Sequence, residues 1–250
     1  MPVEPKIAAT VVLLRERMPD SESNDDCEFE VFMVKRHANT RFMGGHHVFP
    51  GGALEVQDMT QESRARLIGP EKDILTTVKD VCNEPSNLWI IAIRELFEET
   101  GILISTKDKK HLFEINEEDG TKFKNYQEKL QKDRETMTSI LVNENLYYAA
   151  NYLKYFGRLI TPKQSPIRFD TQFFLCKFPE NQNINLFRDE LTDGLWGSPR
   201  FLLELFRKRK IKLIFPQYTT LNRLKRFKTI QEAFSNSRNG FKMVQVKDFR

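Results

Sequence analysis

The residues with the clearest capacity for chemistry in this sequence are three closely spaced glutamates, Glu95, Glu98 and Glu99. An α-helix advances by about 100° per residue, so it would carry all three carboxylates on one face. Like charges at this spacing destabilise a helix, and Arg94 can neutralise only part of the cluster. Hard divalent cations prefer oxygen ligands, so the pattern indicates a Mg²⁺ or Mn²⁺ site. The alternative is a surface helix with an ordinary ion pair between Arg94 and Glu98.

The helix that must position these glutamates is predicted to run from Asn87 to Thr100. Ser86 is a suitable N-cap, and Gly101 is typical of the residue that ends a helix. The face opposite the acids is apolar, which predicts burial. It comprises Trp89, Ile90, Ile93, Leu96, Phe97 and Thr100. We therefore expect this helix to bury one flank and to present its carboxylates on the other.

Strands and helices alternate on either side of this helix. Runs rich in β-branched and aromatic residues predict four strands, over residues 7–15, 29–35, 153–160 and 169–178. Such interleaving of strands with helices predicts an α/β domain.

The remaining segments are more polar. Residues 56–85 have no clear periodicity, whereas residues 122–152 favour a helix. Ser198 followed by Pro199 predicts a further helix start, with shorter helices after Pro216. The apolar face of that further helix is predicted to consist of Phe201, Leu202, Leu205 and Phe206.

Composition excludes several classes of protein. The 250 residues are 40% hydrophobic and 11% aromatic, enough to bury a substantial core. The longest apolar runs are much shorter than the roughly 20 residues that cross a bilayer, so we expect no membrane insertion. Cys27, Cys82 and Cys176 lie far apart, which indicates neither a disulfide framework nor a zinc site. We expect a soluble intracellular protein with reduced thiols.

The charge of the chain is unevenly distributed. The formal net charge is only +4, yet from Pro199 onward there are 14 lysines or arginines against three acids. This basic segment could attract a phosphorylated small molecule, an acidic membrane surface or, less readily, nucleic acid. The alternative interpretation is a solvated face of C-terminal helices.

The run from Arg94 to Ile102 resembles the second half of the Nudix box, which reads Arg-Glu-apolar-x-Glu-Glu-x-Gly-apolar, and every fixed position is filled. Gly52 and Asp58 resemble its first half, although the family normally has glutamate where Asp58 stands. In addition, 35 residues separate Asp58 from Arg94, far more than the family's box holds. A long insertion is tolerable because loop closure costs rise slowly with length. It leaves the role of Asp58 open.

A second motif resembles the coenzyme A branch of the Nudix family. Seven residues fall at the spacing of that branch, namely Arg36, Arg41, Gly45, Phe49, Pro50, Gly51 and Gly52. Phe32, Met33 and Val34 replace its leading Leu-Leu-Thr, and His37 replaces a small residue. Arg36 and Arg41 could each donate two parallel hydrogen bonds to phosphate oxygens beside the glycine turn, residues 50–52. Two surface arginines beside a tight turn are the alternative.

The resemblance implies a Nudix-type α/β/α sandwich with a mixed central sheet. It implies a single domain over residues 1–250, with an insertion at 59–85, a helical insertion at 105–152 and a basic helical extension at 198–250. By the same resemblance, Glu98 and Glu99 are the principal ligands of Mg²⁺ or Mn²⁺, and Glu95 is a ligand or the base. Arg94 would orient one of them, and Glu190 would be a fourth ligand or the base. The substrate-binding residues would be Arg36, Arg41, Gly45, Phe49, Gly51 and Gly52.

The implied reaction is hydrolysis of the pyrophosphate bond of coenzyme A or acyl-coenzyme A. Two alternatives stay open: a pyrophosphatase acting on nucleotide sugars, dinucleotides or capped RNA, and a non-catalytic binding module of Nudix fold. Relatives in the family suggest a peroxisome or a mitochondrion, whereas the sequence has no clear signal for either.

Overall fold

A computed structural model describes residues 3–17, 25–40 and 43–237. The strands of this part are β1 (Lys6–Glu16), β2 (Phe29–Arg36), β3 (His47–Val48), β4 (Gly51–Ala53), β5 (Leu67–Ile68), β6 (Ser105–Thr106), β7 (Tyr147–Ala149), β8 (Leu153–Ile160), β9 (Phe169–Lys177) and β10 (Leu191–Gly197). The α-helices are α1 (Gln61–Ala65), α2 (Lys72–Thr77), α3 (Asn87–Thr100), α4 (Glu117–Leu130), α5 (Met137–Asn143), α6 (Pro199–Arg207), α7 (Phe215–Leu224) and α8 (Ile230–Ser235). All four predicted strands are present.

The central sheet has the order β10-β2-β1-β9-β8, and β3 and β4 pair with β2 and β1 respectively. β1 and β9 are parallel, whereas the other pairs are antiparallel, so the sheet is mixed. Successive side chains of a strand point to opposite faces. Along β1, Val11 and Leu13 join the core that contains α3, while Val12 and Leu14 join the core beneath α6 to α8. Helices therefore cover both faces, which confirms the predicted α/β/α architecture.

Helix α3 has the predicted bounds, but its beginning differs from the prediction. The Ser86 side chain makes no cap hydrogen bond, because Ser86 itself has helical backbone angles (φ −57°, ψ −27°) and lies within a turn. At the other end, Gly101 adopts the left-handed conformation (φ 74°) that favours glycine and ends the helix. The prediction for Gly101 is confirmed, and that for the Ser86 cap is wrong.

The two segments predicted as insertions pair with each other. β5, from residues 59–85, and β6 flank β7 in a second, three-stranded sheet. Arg66 strengthens this contact, because its carbonyl accepts from Tyr148 N (2.9 Å) and its Nη1 donates to Leu146 O (2.8 Å). The expected helix over 122–152 is divided into α4 and α5, with residues 131–136 between them. It is also wrong at its end, where residues 147–149 form β7 because a partner strand is available.

The C-terminal helices cover the second face of the sheet. Ser198 caps α6 as predicted, accepting a hydrogen bond from Phe201 N (3.1 Å). Leu202 is fully buried, but Phe201 is 47% exposed, so its predicted place on the buried face is wrong. Basic residues 207–210 and 212 are exposed on this side. No helix of the described ranges is both long and apolar enough to span a bilayer.

Candidate active site

The acid-bearing face of α3 packs against the glycine turn that contains β4. Gly51 N donates to Glu99 Oε2 (3.1 Å), which joins the turn to the helix. A Cβ on Gly52 would collide with the Glu95 carboxylate, and one on Gly51 would collide with the backbone of β1 at Ala9. Only glycine permits so close an approach. The helical pattern predicted that the acids lie on an open face of the helix. In the structure they are largely enclosed.

Arg94 lies at the centre of this cluster and is completely buried. Its guanidinium donates to Glu98 Oε2 (3.1 Å) and to Ala53 O (2.9 Å), and its Nη1 lies 2.9 Å from Glu95 Oε1. Glu55 Oε1, at 3.6 Å from the same nitrogen, adds a further acid. The position of Arg94 fits the predicted orienting role, because it holds both glutamates at once.

Asp58 forms the other half of a buried ion pair with Arg94. Arg94 Nε donates to Asp58 Oδ1 (2.8 Å) and Nη2 donates to Oδ2 (3.1 Å), a bidentate arrangement. The Asp58 carboxylate also accepts from Glu55 N (2.9 Å). Both oxygens are thus engaged within the protein, so Asp58 acts as the partner of Arg94. The split motif is contiguous in space despite the long insertion.

Burial raises the pKa of all three glutamates of α3. For Glu95, loss of solvent raises the pKa to about 8, although Arg94 opposes the change. The pKa of Glu98 is raised for the same reason. Glu99 has its pKa raised well above the ordinary value by burial and then by the nearby Glu95 charge. A buried carboxylate is costly to ionise without a counter-charge, and one arginine is shared among several acids.

The chemistry of these donors fits a hard divalent cation, which would supply the missing positive charge to oxygen ligands. In the part of the chain that the structure describes, no three acidic, histidine or cysteine side chains already enclose a metal position. Arg94 instead engages Glu95 and Glu98, while Glu99 is bonded by Gly51 N. The Glu98 side chain is 23% exposed, whereas Glu99 is buried. That these two glutamates receive the cation stays a prediction.

Two of the predicted residues lie beside the carboxylates. Arg36 Nη2 lies 3.8 Å from Glu190 Oε2. Arg36 lowers the pKa of Glu99 and Glu190 raises it, although burial is the dominant cause of the shift. The charges of both residues therefore act on the cluster. Because nearly half of the Glu190 side chain is exposed, this pair is open to an incoming ligand.

The other predicted substrate residues have different positions. Gly45 forms a turn (φ 73°) whose amide donates to Arg36 O (3.1 Å), so it supports Arg36 through the backbone. Phe49 is 2% exposed and packs in the core beneath α6 to α8, which gives it a structural role and corrects its predicted contact with substrate. Arg41 lies outside the described residues.

Sequence patterns did not indicate several residues that complete the site. Glu55 follows the glycine turn and could have been noticed as an acid close to Asp58. Gln127 of α4 and Gln131, the residue after its last turn, both donate to the carbonyl oxygen of Glu98 (3.0 and 2.6 Å). Two amides in a polar helix carry no sequence signal of such a role, because their partner is a backbone atom of a distant element.

Comparison with known proteins finds relatives of this sequence. The sequence model of the NUDT19 Nudix domain matches residues 6–224. Acyl-coenzyme A diphosphatase NUDT19 of Xenopus laevis is 26% identical over 85% of this chain and 64% of its own length. Putative nudix hydrolase 7 of Caenorhabditis elegans is 29% identical over 79% of this chain and 56% of its own length. The chain thus spans less than two thirds of either relative.

The fold is also similar to that of a solved Nudix hydrolase. The crystal structure of a Nudix hydrolase from Alicyclobacillus acidocaldarius superposes with a TM-score of 0.76 and 26% identity, covering 93% of this chain and 96% of that one. The predicted Nudix-type sandwich is therefore confirmed, as is the resemblance to the coenzyme A branch. Because the family match extends over most of the sequence, the chain belongs to the NUDT19 Nudix domain family.

Proposed function

We propose that this protein is a divalent-metal-dependent diphosphatase that hydrolyses the pyrophosphate bond of coenzyme A or acyl-coenzyme A. The products are 4′-phosphopantetheine, or its acyl form, and adenosine 3′,5′-bisphosphate. The observation that carries the proposal is the enclosed carboxylate cluster of α3, held by the glycine turn beside Arg36. The similarity to acyl-coenzyme A diphosphatases, named as such in frog and human, supports the choice of substrate.

The carboxylates of Glu98 and Glu99 hold the metal in this proposal. A bound Mg²⁺ or Mn²⁺ would offset the negative charge of the phosphate oxygens. Arg94 keeps Glu98 in place through its 3.1 Å bond while Asp58 prevents Arg94 from moving. Glu95 is a further ligand or the base that takes a proton from the attacking water, and Glu190 is the second candidate for that base.

Arg36 binds the diphosphate in this proposal. Its guanidinium carries the only charge of the described substrate residues and lies at the edge of the cluster, paired loosely with Glu190 at 3.8 Å. A phosphate group can accept two parallel hydrogen bonds from a guanidinium, whereas the 3.8 Å contact to Glu190 is longer than a hydrogen bond. Substrate binding would therefore draw Arg36 from Glu190 toward the phosphate, leaving the Glu190 carboxylate available to water.

A panel of diphosphates tests the proposal. The purified chain is incubated with Mg²⁺ or Mn²⁺ and coenzyme A, acetyl-coenzyme A, 3′-dephospho-coenzyme A, a nucleotide sugar, a dinucleotide or capped RNA, and products are identified by mass. We expect cleavage of the first two, and weaker turnover without the 3′-phosphate. Faster cleavage of another diphosphate would assign the site to that substrate. Metal binding without hydrolysis of any member would indicate a binding module.

A further inference from the structure

The last turn of α3, which carries Glu98 and Glu99, has all of its free carbonyls bonded. The final four carbonyls of an α-helix find no partner within the helix itself. Backbone amides bond three of them: Gly101 N donates to Phe97 O, Phe187 N to Glu99 O and Asn185 N to Thr100 O, at 2.7, 3.0 and 2.7 Å. The carbonyl of Glu98 is the fourth, and side chains bond it instead.

Gln127 connects this carbonyl to the loop before β10. Its Nε2 donates both to Glu98 O (3.0 Å) and to Asn185 O (2.9 Å), and its Oε1 accepts from Asn185 Nδ2 (2.7 Å). A glutamine amide has two N–H donors, so Gln127 uses both of them on these two carbonyls. The side chain is almost fully buried, at 1% exposure. Gln131 bonds Glu98 O as well, but has no such bond to the loop.

The loop that Gln127 holds leads directly to Glu190. Phe187, whose amide bonds the helix, accepts at its carbonyl from Leu191 N (2.9 Å), and Glu190 lies one residue before Leu191. Glu190 in turn faces Arg36. One buried amide therefore joins the backbone of the metal-binding helix to the segment that carries the second acid of the site.

We propose that Gln127 is a positioning residue, which sets Glu98 and Glu99 relative to Glu190 and thereby determines metal affinity and turnover. This inference rests on the proposed function, on its metal site for the first effect and on its hydrolysis for the second. Gln127 touches neither metal nor substrate and acts through the backbone of Glu98 and Asn185. Removal of a hydrogen-bond partner behind a metal ligand typically costs about 10- to 100-fold in affinity or activity.

Gln127→Met tests the inference, because methionine has a similar length but donates no hydrogen bond. Gln131→Met is the matched comparison: it makes the same change at the C-cap of α4, removes the other side-chain bond to Glu98 O and leaves the bonds to the loop intact. We would measure Mn²⁺ affinity by electron paramagnetic resonance, kcat and KM for coenzyme A, and Tm. We expect about tenfold weaker Mn²⁺ binding and a lower kcat in Gln127→Met. Gln131→Met should have a smaller effect, because Gln127 still bonds Glu98 O and still joins it to the loop.

A lower Tm with wild-type Mn²⁺ affinity and kcat would overturn the inference and leave Gln127 a purely structural residue. Asn185→Ala tests the same linkage in case Gln127→Met does not fold. Asn185 is exposed, and its substitution removes only the bond from its side chain to Gln127 Oε1. It should weaken Mn²⁺ binding in the same direction, and unchanged binding would count against the linkage. If the wild-type protein binds Mn²⁺ but cleaves no diphosphate, the proposed function is wrong. In that case weaker Mn²⁺ binding by Gln127→Met would still support the positioning role of Gln127.

Discussion

The two halves of α3 are held in different ways. Around Arg94 the helix is secured by charge, through the bidentate pair with Asp58 and the contacts to Glu95 and Glu98. At its end it is secured by neutral amides from α4 and from the loop before β10. A charged partner shifts the pKa of the carboxylate it contacts, whereas the amides at the end of the helix bond backbone carbonyls and fix position alone. At that end burial raises the pKa of Glu99 well above its ordinary value, so a bound cation would have to supply the charge that keeps Glu99 ionised.

Breaking the charged half should have the largest effect. Asp58→Asn keeps the shape of the side chain but leaves Arg94 buried with less counter-charge. Removing one partner of a buried pair costs about 3–5 kcal/mol, so we expect the free energy of unfolding to fall by that amount. Urea unfolding measures it. A loss below about 1 kcal/mol, the range of exposed ion pairs, would show that Asp58 is not the anchor of this half.

Removing a proposed ligand should leave the hold on the helix intact. Glu98→Gln retains an oxygen that accepts from Arg94, but loses the negative charge that a divalent cation needs. We expect kcat to fall by about 100-fold or more while the far-ultraviolet circular dichroism spectrum is unchanged. The same substitution at the exposed Glu128 of α4 is the control. Full activity of Glu98→Gln would contradict the assignment of Glu98 as a ligand.

A substitution in the glycine turn would displace the Glu95 carboxylate without removing its charge. A Cβ on Gly52 meets the movable Glu95 carboxylate, whereas one on Gly51 meets the backbone of Ala9 in β1. We expect Gly52→Ala to reduce kcat by about tenfold with little change in Tm, because Glu95 can swing away. Gly51→Ala should instead destabilise by about 1–3 kcal/mol. If both variants lose only stability, the position of Glu95 is unimportant for turnover.

Helix α3 and the strands were predictable because their signals are local. The apolar stripe, the acids and Gly101 all lie within one continuous segment, and the bounds 87–100 were correct. The pairing of Asp58 with Arg94 was not predictable, because no local pattern shows that two groups 36 positions apart will meet. Likewise β7 forms only where β5 and β6 supply its hydrogen bonds. Tertiary contacts override a helix-favouring composition there.

The smallest effect is expected from the exposed ion pair between Asp80, in the insertion at 59–85, and Arg158 of β8. Asp80 accepts from Arg158 Nη1 (2.9 Å), but its side chain is 64% exposed and Arg158 also bonds Asp170. Solvent screens such a pair, so Asp80→Asn should cost less than about 1 kcal/mol at pH 7, far less than Asp58→Asn.

The pH dependence of that loss identifies its source. The hydrogen bond from Arg158 lowers the pKa of Asp80 below its ordinary value of 3.8. An acid whose pKa is lower in the folded state stabilises the fold above its unfolded pKa, and this contribution disappears as the pH falls through the folded value. The difference in unfolding free energy between wild type and Asp80→Asn should therefore be constant near neutrality and shrink below about pH 4. If the difference in unfolding free energy persists in acid, lost packing rather than lost charge is its source. If Asp80→Asn lowers the unfolding free energy as much as Asp58→Asn does, buried and exposed pairs do not differ as proposed.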